Sequence, residues 1–193
     1  MQGVVVKDMT AKAHLENTFE LLIVDNLVTN GWNLGDNSTY DRKLGLDQDE
    51  LFKFILSTQP EEFRKLSSFH GSEDMTKRKF AERLVKELEL RDPIDVIRRG
   101  ITDTGVKFFL AEFIPEHSLT PESKRLYDLN RVTVTRQIKM SEKNINDSID
   151  LVFLLNGIPV ATAELKSQTA GQDVKKAIAQ YRYDRNPSDL IFR

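Results

Sequence analysis

The chain has 193 residues, 39% of them hydrophobic and 30% charged, which is the composition of a soluble globular protein with one good core. Its net charge of −2 counts against a strong, autonomous nucleic-acid binder. The absence of cysteine excludes disulfides and thiolate metal sites, so a metal ion would need oxygen ligands or the three scattered histidines. No apolar run approaches the roughly 18 residues that cross a bilayer, and the N-terminus lacks the apolar block of a signal peptide, so we expect a cytoplasmic protein with no membrane partner.

The first predicted element is an amphipathic helix in the segment TAKAHLENTFELLIVDNLVTNGW, residues 10–32. Its apolar residues recur at spacings of three and four, the period of one helix face. Thr10 is a plausible cap and Asn30-Gly31 a plausible stop. The following stretch NLGDNSTYDRKLG is predicted to be a loop. The apolar positions of the helix are Leu15, Phe19, Leu22, Ile23 and Leu27.

Residues 48–99 carry a strongly charged helical pattern in several pieces. Pro60 stands at a first-turn position, and Ser72 precedes two acidic residues, as at helix starts. We therefore predict that residues 36–99 form a helical insert, and that residues 1–35 and 100–193 form the core of the domain.

After Gly100 the pattern changes to strands, over GVKFFLAEFI and NRVTVTRQIKM, with a loop at residues 115–129 between them. A β-hairpin follows, SIDLVFLLNGIPVATAELKS, with Asn156-Gly157 as its turn. Residues 172–185 are predicted to be a helix and residues 189–193 another strand. This order predicts an α/β fold with a mixed sheet flanked by helices. Because this apolar strand stops at the last residue of the sequence, we expect the chain to belong to a longer protein.

The hairpin ends in charges that a core strand does not need: Asp150 at the start of its first strand, and Glu164 and Lys166 at the end of its second. Alternation puts Glu164 and Lys166 on one face. A plain two-residue turn would leave Asp150 opposite Ala163, on the other face from Glu164. One extra residue, in the loop or as a bulge, brings Asp150 opposite Glu164. Pro159 lacks an N–H, which favours such an irregularity.

With that offset, two carboxylates suit Mg²⁺, which prefers oxygen ligands and keeps several waters. Such an ion polarises a phosphodiester and lowers the pKa of bound water. Lys166 would orient the water or neutralise the phosphate, and the Leu165 carbonyl is a further candidate ligand. The same residues are also compatible with a solvated strand end or a salt-bridged rim. Asp147, in the turn-like KNINDS, is a rival for Asp150.

The motif D-x13-E-x-K resembles that of the PD-(D/E)XK nuclease superfamily. More closely, IDLVFLLNGIPVATAELK is similar to the N-terminal nuclease region of the restriction (R) subunit of type I restriction-modification enzymes. The likeness extends to NRVTVTRQIKM upstream, to the first helix LENTFELLIVDNLVTNGW, and to AIAQYRYDRNPSDLIF downstream. It covers residues 10–35 and 100–193 and leaves the helical insert unaccounted for. The resemblance implies a PD-(D/E)XK, restriction-endonuclease-like core.

The resemblance also implies roles for individual residues. Asp150 and Glu164 would be Mg²⁺ ligands, Lys166 the catalytic lysine, and Glu20 a helix carboxylate that approaches the metal. A solvated helix face is the competing reading for Glu20. Gln180 matches the glutamine of a Q-x3-Y motif, but Asp184 stands where the tyrosine is expected, so the tyrosine assignment stays open. The candidate DNA-contacting residues are Gln180, Arg182 and Tyr183.

By the same resemblance the chain is a Mg²⁺-dependent endonuclease module that cleaves double-stranded DNA within an ATP-dependent type I restriction enzyme. ATP would act only in motor domains beyond this chain, since the sequence has no G-x4-G-K-[ST] loop. Methyltransferase and specificity subunits would be its partners. Two alternatives are a nuclease-like fold that serves as a non-catalytic DNA-binding or docking module, and a stand-alone PD-(D/E)XK nuclease.

Overall fold

A computed structural model describes residues 17–114, 120–139 and 148–165, together with residues 178, 179, 183 and 191. Both helices and strands occur in these ranges, which confirms the predicted α/β class. The predicted cap Thr10, most of the predicted helix 172–185 and most of the predicted strand 189–193 lie outside the described residues. The elements are α1 (17–29), β1 (Asn33–Leu34), β2 (Tyr40–Asp41), β3 (Leu46–Asp47), α2 (Gln48–Thr58), α3 (Pro60–His70), α4 (Glu73–Leu90), α5 (Pro93–Arg99), β4 (Ile101–Asp103), β5 (Val106–Phe108), α6 (Pro121–Asp128), β6 (Val132–Lys139), β7 (Ser148–Leu155) and β8 (Ile158–Ala163).

The main sheet of the described residues has the strand order β1-β6-β7-β8. Strand β1 runs parallel to β6, and the pairs β6–β7 and β7–β8 are antiparallel, which confirms the predicted mixed sheet. The prediction that residues 33–45 are all loop was wrong at Asn33–Leu34, which pair with β6, and at Tyr40–Asp41, which pair with β3. Two residues are too few to leave a period in the sequence.

Helix α1 ends near Asn30-Gly31 as predicted, and its predicted apolar positions Ile23 and Leu27 pack against an apolar cluster, but two other predicted positions do not. Phe19 and Leu22 are exposed, whereas Glu20 and Val24 are buried. The helix packs Val24 into an apolar cluster with strands β6 and β7. Glu20 turns inward because an arginine of β6 pairs with its carboxylate. At Glu20 a tertiary ion pair therefore overrides the local apolar pattern.

Helices α2 to α5 occupy most of the segment predicted as a helical insert. Side-chain caps at Asp47, Ser72 and Asp92 open α2, α4 and α5, and Pro60 stands in the first turn of α3, so the predicted Ser72 and Pro60 punctuation is confirmed. The apolar core of these helices also includes Ile158 of β8. The same core takes in residues after 100, namely Ile101, Phe108, Leu110 and Ala111.

Two local predictions after residue 100 were wrong. The strand predicted at 105–114 ends at Phe108, because the side-chain amide of Gln59 takes both backbone groups of Phe109. The predicted loop contains α6, which opens with a capping box between Thr120 and Ser123. Helix α6 buries none of its residues, so its sequence has no apolar period from which the helix could be predicted. No helix within the described ranges is long and apolar enough to cross a membrane.

Candidate functional site

The hairpin β7–β8 contains the one-residue offset that the metal hypothesis requires. Next to the turn, Leu154 pairs with Pro159, but one step further Phe153 pairs with Ala161. Val160 is therefore an extra residue on β8, a β-bulge beside the proline that lacks an N–H. The predicted irregularity is confirmed, and it lies in the strand rather than in the turn.

The bulge sets the register at the far end of the hairpin. Leu151 pairs with Ala163, and continuing the same register by one residue brings Asp150 opposite Glu164. Glu164 directly follows the last residue of β8, so the two acidic residues lie at the same end of the strand pair. The Leu165 backbone N–H donates to Asp150 Oδ2 at 2.6 Å, so the aspartate side chain reaches across to the second strand. Asp150 and Glu164 are both half-buried.

A glutamine on β6 joins this hairpin to helix α1. Gln137 Nε2 donates to Glu20 Oε2 at 2.9 Å and to Asp150 Oδ1 at 3.2 Å. Ser148 Oγ donates to Gln137 Oε1 at 2.7 Å, which fixes the orientation of the amide. A single neutral side chain thus links two carboxylates from different elements. No motif in the sequence marks Gln137 as a site residue.

Glu20 lies at the edge of this group and is only 4% exposed. Arg136 Nε donates to Glu20 Oε1 at 2.5 Å, and another nitrogen of the same guanidinium donates to Asn17 Oδ1. Because Gln137 holds the other Glu20 oxygen, both oxygens already have protein donors. The role of Glu20 as a metal ligand stays a prediction. Its proximity to Asp150, through Gln137, is an observation.

The oxygen atoms available at this site suit a hard cation that takes few ligands from the protein and keeps water as the others. No group of three or more His, Asp or Glu side chains that could hold a metal occurs within the described ranges. An ion here would therefore be bound by the carboxylates of Asp150 and Glu164, the Leu165 carbonyl and water. Mg²⁺ is typically held by one or two carboxylates and keeps several waters, so the residues present suit it.

Of the remaining candidate site residues, the structure describes only Tyr183. Lys166, Gln180 and Arg182 lie outside the described residues, as does Asp147, the rival of Asp150. Tyr183 is described and 80% exposed, which leaves it accessible to a ligand but identifies none. The assignments of these residues stay predictions.

Comparison with known proteins gives one informative result. No curated protein and no solved structure matches the chain significantly. The family model described as "Type I restriction enzyme R protein N terminus" matches residues 14–193 and so covers the helical segment that the resemblance had left out. The chain belongs to the family of type I restriction enzyme R protein N-terminal regions.

Proposed function

We propose that the chain is a Mg²⁺-dependent endonuclease module with a PD-(D/E)XK core that hydrolyses phosphodiester bonds of double-stranded DNA. The main support is the β-bulge at Val160, whose register brings Asp150 opposite Glu164 in a chain that belongs to a restriction-enzyme family. Without that extra residue Asp150 would stand opposite Ala163 instead of Glu164.

The residues of the site divide the work of binding and orientation. Asp150 keeps its carboxylate across the strand pair because the Leu165 N–H and the Gln137 amide each donate to one of its oxygens. Each of those oxygens has a second lone pair with which to bind a cation. Glu164 and the Leu165 carbonyl supply further oxygen ligands. When bound, Mg²⁺ would polarise the phosphodiester and lower the pKa of a coordinated water.

Lys166 follows the second carboxylate by two residues and is proposed as the catalytic lysine. Its ammonium, a compact cation with three donors, would orient the attacking water or offset charge on the phosphate in the transition state. Gln180, Arg182 and Tyr183 are proposed to contact the DNA backbone. Because the net charge of the chain is −2, much of the affinity for DNA would come from other parts of the enzyme.

In this proposal the chain acts within a restriction-modification complex that also contains methyltransferase and specificity subunits. ATP would be used only by motor domains elsewhere in the R subunit. The module would then cut without a sequence preference of its own.

The deciding experiment compares assembled restriction complexes whose R subunit carries Asp150→Asn, Lys166→Ala or the control Asp25→Asn. Asp25 is an exposed carboxylate on α1, so it matches the charge change outside the site. We expect both site variants to lose plasmid cleavage by at least about 100-fold, with ATP hydrolysis retained, since cleavage and ATP use are assigned to different domains. The control should cut at the wild-type rate.

Full-rate cleavage by both site variants would refute the endonuclease assignment. The chain would then be the non-catalytic DNA-binding or docking module. Loss of ATP hydrolysis together with cleavage would mean that the substitutions disrupt assembly rather than chemistry.

A further inference from the structure

Gln137 has a backbone conformation that strands do not normally contain. Its φ is +52°, in the left-handed region, although it lies within β6 and is not a glycine. The ladder pairs on either side, Arg136 with Leu151 and Ile138 with Ile149, keep the same register, so Gln137 stands opposite Asp150 without a bulge. A residue is held in this region only where its surroundings over-determine it, and such residues cluster at functional sites.

This conformation interrupts the alternation of side chains along the sheet. Val134 and Leu151 belong to the apolar cluster that contains α1. Ile138 and Ile149 belong to a different cluster, although unbroken alternation would keep all four on one face. On β6 the interruption coincides with the positive φ of Gln137, and on β7 it falls between Ile149 and Leu151, at Asp150. Adjacent strand residues normally project to opposite faces, but here both Arg136 and Gln137 reach the Glu20 carboxylate.

The reversed backbone gives the Gln137 amide its position between two carboxylates. Its nitrogen donates to Glu20 and to Asp150, and its oxygen accepts from Ser148. One neutral donor thereby holds both acids, and it does so without offsetting the negative charge of Asp150. An arginine in this position would neutralise Asp150 and compete with a cation, whereas an amide orients the carboxylate without doing so.

We propose that Gln137 is a positioning residue of the metal site: it holds Asp150 Oδ1 so that the carboxylate is oriented toward Glu164 before the cation binds. This inference rests on the proposed function, because it assigns Gln137 a role toward the same Mg²⁺. The left-handed backbone conformation is unfavourable for glutamine, and it is then explained by the need to place the amide between the two carboxylates. Gln137 itself contacts neither the ion nor the DNA.

The test separates backbone relief from loss of the amide. Gln137→Gly removes the side chain and accepts the positive φ, so we expect Mn²⁺ affinity of the chain to fall at least tenfold, while the thermal midpoint stays the same or rises. Gln137→Asn also tolerates the positive φ and keeps an amide on a side chain one methylene shorter. Its Mn²⁺ affinity should therefore lie between those of the wild type and Gln137→Gly. Thr104→Gly is the matched control, since Thr104 is another non-glycine residue with positive φ, 48°.

Mn²⁺ binding would be measured by electron paramagnetic resonance of the free ion and by calorimetry, with Asp150→Asn as the reference for a lost site. Thr104→Gly should bind Mn²⁺ as the wild type does. Wild-type affinity in Gln137→Gly and Gln137→Asn, alongside loss in Asp150→Asn, would overturn the inference and leave the proposed function standing. Absence of Mn²⁺ binding by the wild-type chain would overturn both. Should Gln137→Gly fail to fold, the affinity of Gln137→Asn decides between the same outcomes.

Discussion

The helical region α2 to α5 and the end of the sheet near Asp150 differ in the kind of side chain that they bury. The helical region packs aromatic and aliphatic groups, such as Phe80 against Phe108 with ring centroids 4.8 Å apart. Near Asp150 the sheet buries Glu20 instead and holds Gln137 in a left-handed conformation. The first region obeys local sequence rules and the second breaks several of them, which is the expected pattern for a stable scaffold that carries a functional site.

The largest effect should come from opening a cavity in the helical region. Phe80 is fully buried, so Phe80→Ala should lower the free energy of unfolding by about 3–5 kcal/mol. Phe69 on α3 is 61% exposed, and Phe69→Ala should change the stability by no more than about 0.5 kcal/mol. Denaturant unfolding of both variants measures the difference. At temperatures where Phe80→Ala is folded, we expect it to bind Mn²⁺ as the wild type does. Weakened binding in the folded state would show that the two regions are not independent.

A second substitution tests the point where the two regions meet. Gly157, in the β7–β8 turn, has φ +80°, and a Cβ there would lie 2.2 Å from the Asp47 carbonyl oxygen at the start of α2. Gly105 has almost the same φ, +79°, with nothing within 4 Å of its Cβ position. Gly157→Ala should therefore cost about 1–3 kcal/mol more than Gly105→Ala, because only the former overpacks the contact. Equal losses in thermal unfolding would mean that this close approach contributes nothing.

The third effect concerns the ion pair that ties α2 to the sheet. Glu50 is buried at the start of α2, and Arg131, just before β6, donates to it with an Nε–Oε2 distance of 2.6 Å. Glu50→Gln should cost about 1–3 kcal/mol, since it leaves the guanidinium without its anion and Arg131 is partly hydrated. The matched control is Glu61→Gln on α3, whose pair with Arg64 is exposed, and there we expect no measurable change. A similar loss at both positions in chemical denaturation would contradict a special role for the buried pair.

The features predicted correctly from the sequence are those that depend on one or two neighbouring residues. The Asn156-Gly157 turn, the Ser72 cap and the irregularity beside Pro159 each follow from the chemistry of one or two residues. The offset that brings Asp150 opposite Glu164 was also expected, because a plain turn would have separated two acids that a cation needs together.

Features that depend on tertiary contacts could not be predicted from the sequence. The inward rotation of Glu20 depends on Arg136, more than a hundred residues away in the chain. The left-handed Gln137 is invisible in a stretch of β-branched residues, because propensity describes segments and not a single reversed φ. Helix α6 buries nothing and so carries no apolar period. These misses are largest around the site, where local rules and the final structure disagree.

The smallest expected effect is the pH dependence of the Glu50–Arg131 pair. Burial raises the pKa of Glu50, but the hydrogen bonds and charges of Arg131 and Lys53 outweigh it, so the pKa lies below its ordinary value. A lowered carboxyl pKa gives stability that is present above the pKa of the unfolded state, about 4.3, and lost as pH falls through the lower folded value. The stability difference between wild type and Glu50→Gln should therefore be constant near pH 7 and shrink below about pH 4. Urea unfolding at a series of pH values measures it, and a difference that grew on acidification would mean that the folded protein binds the Glu50 proton more tightly than the unfolded chain does.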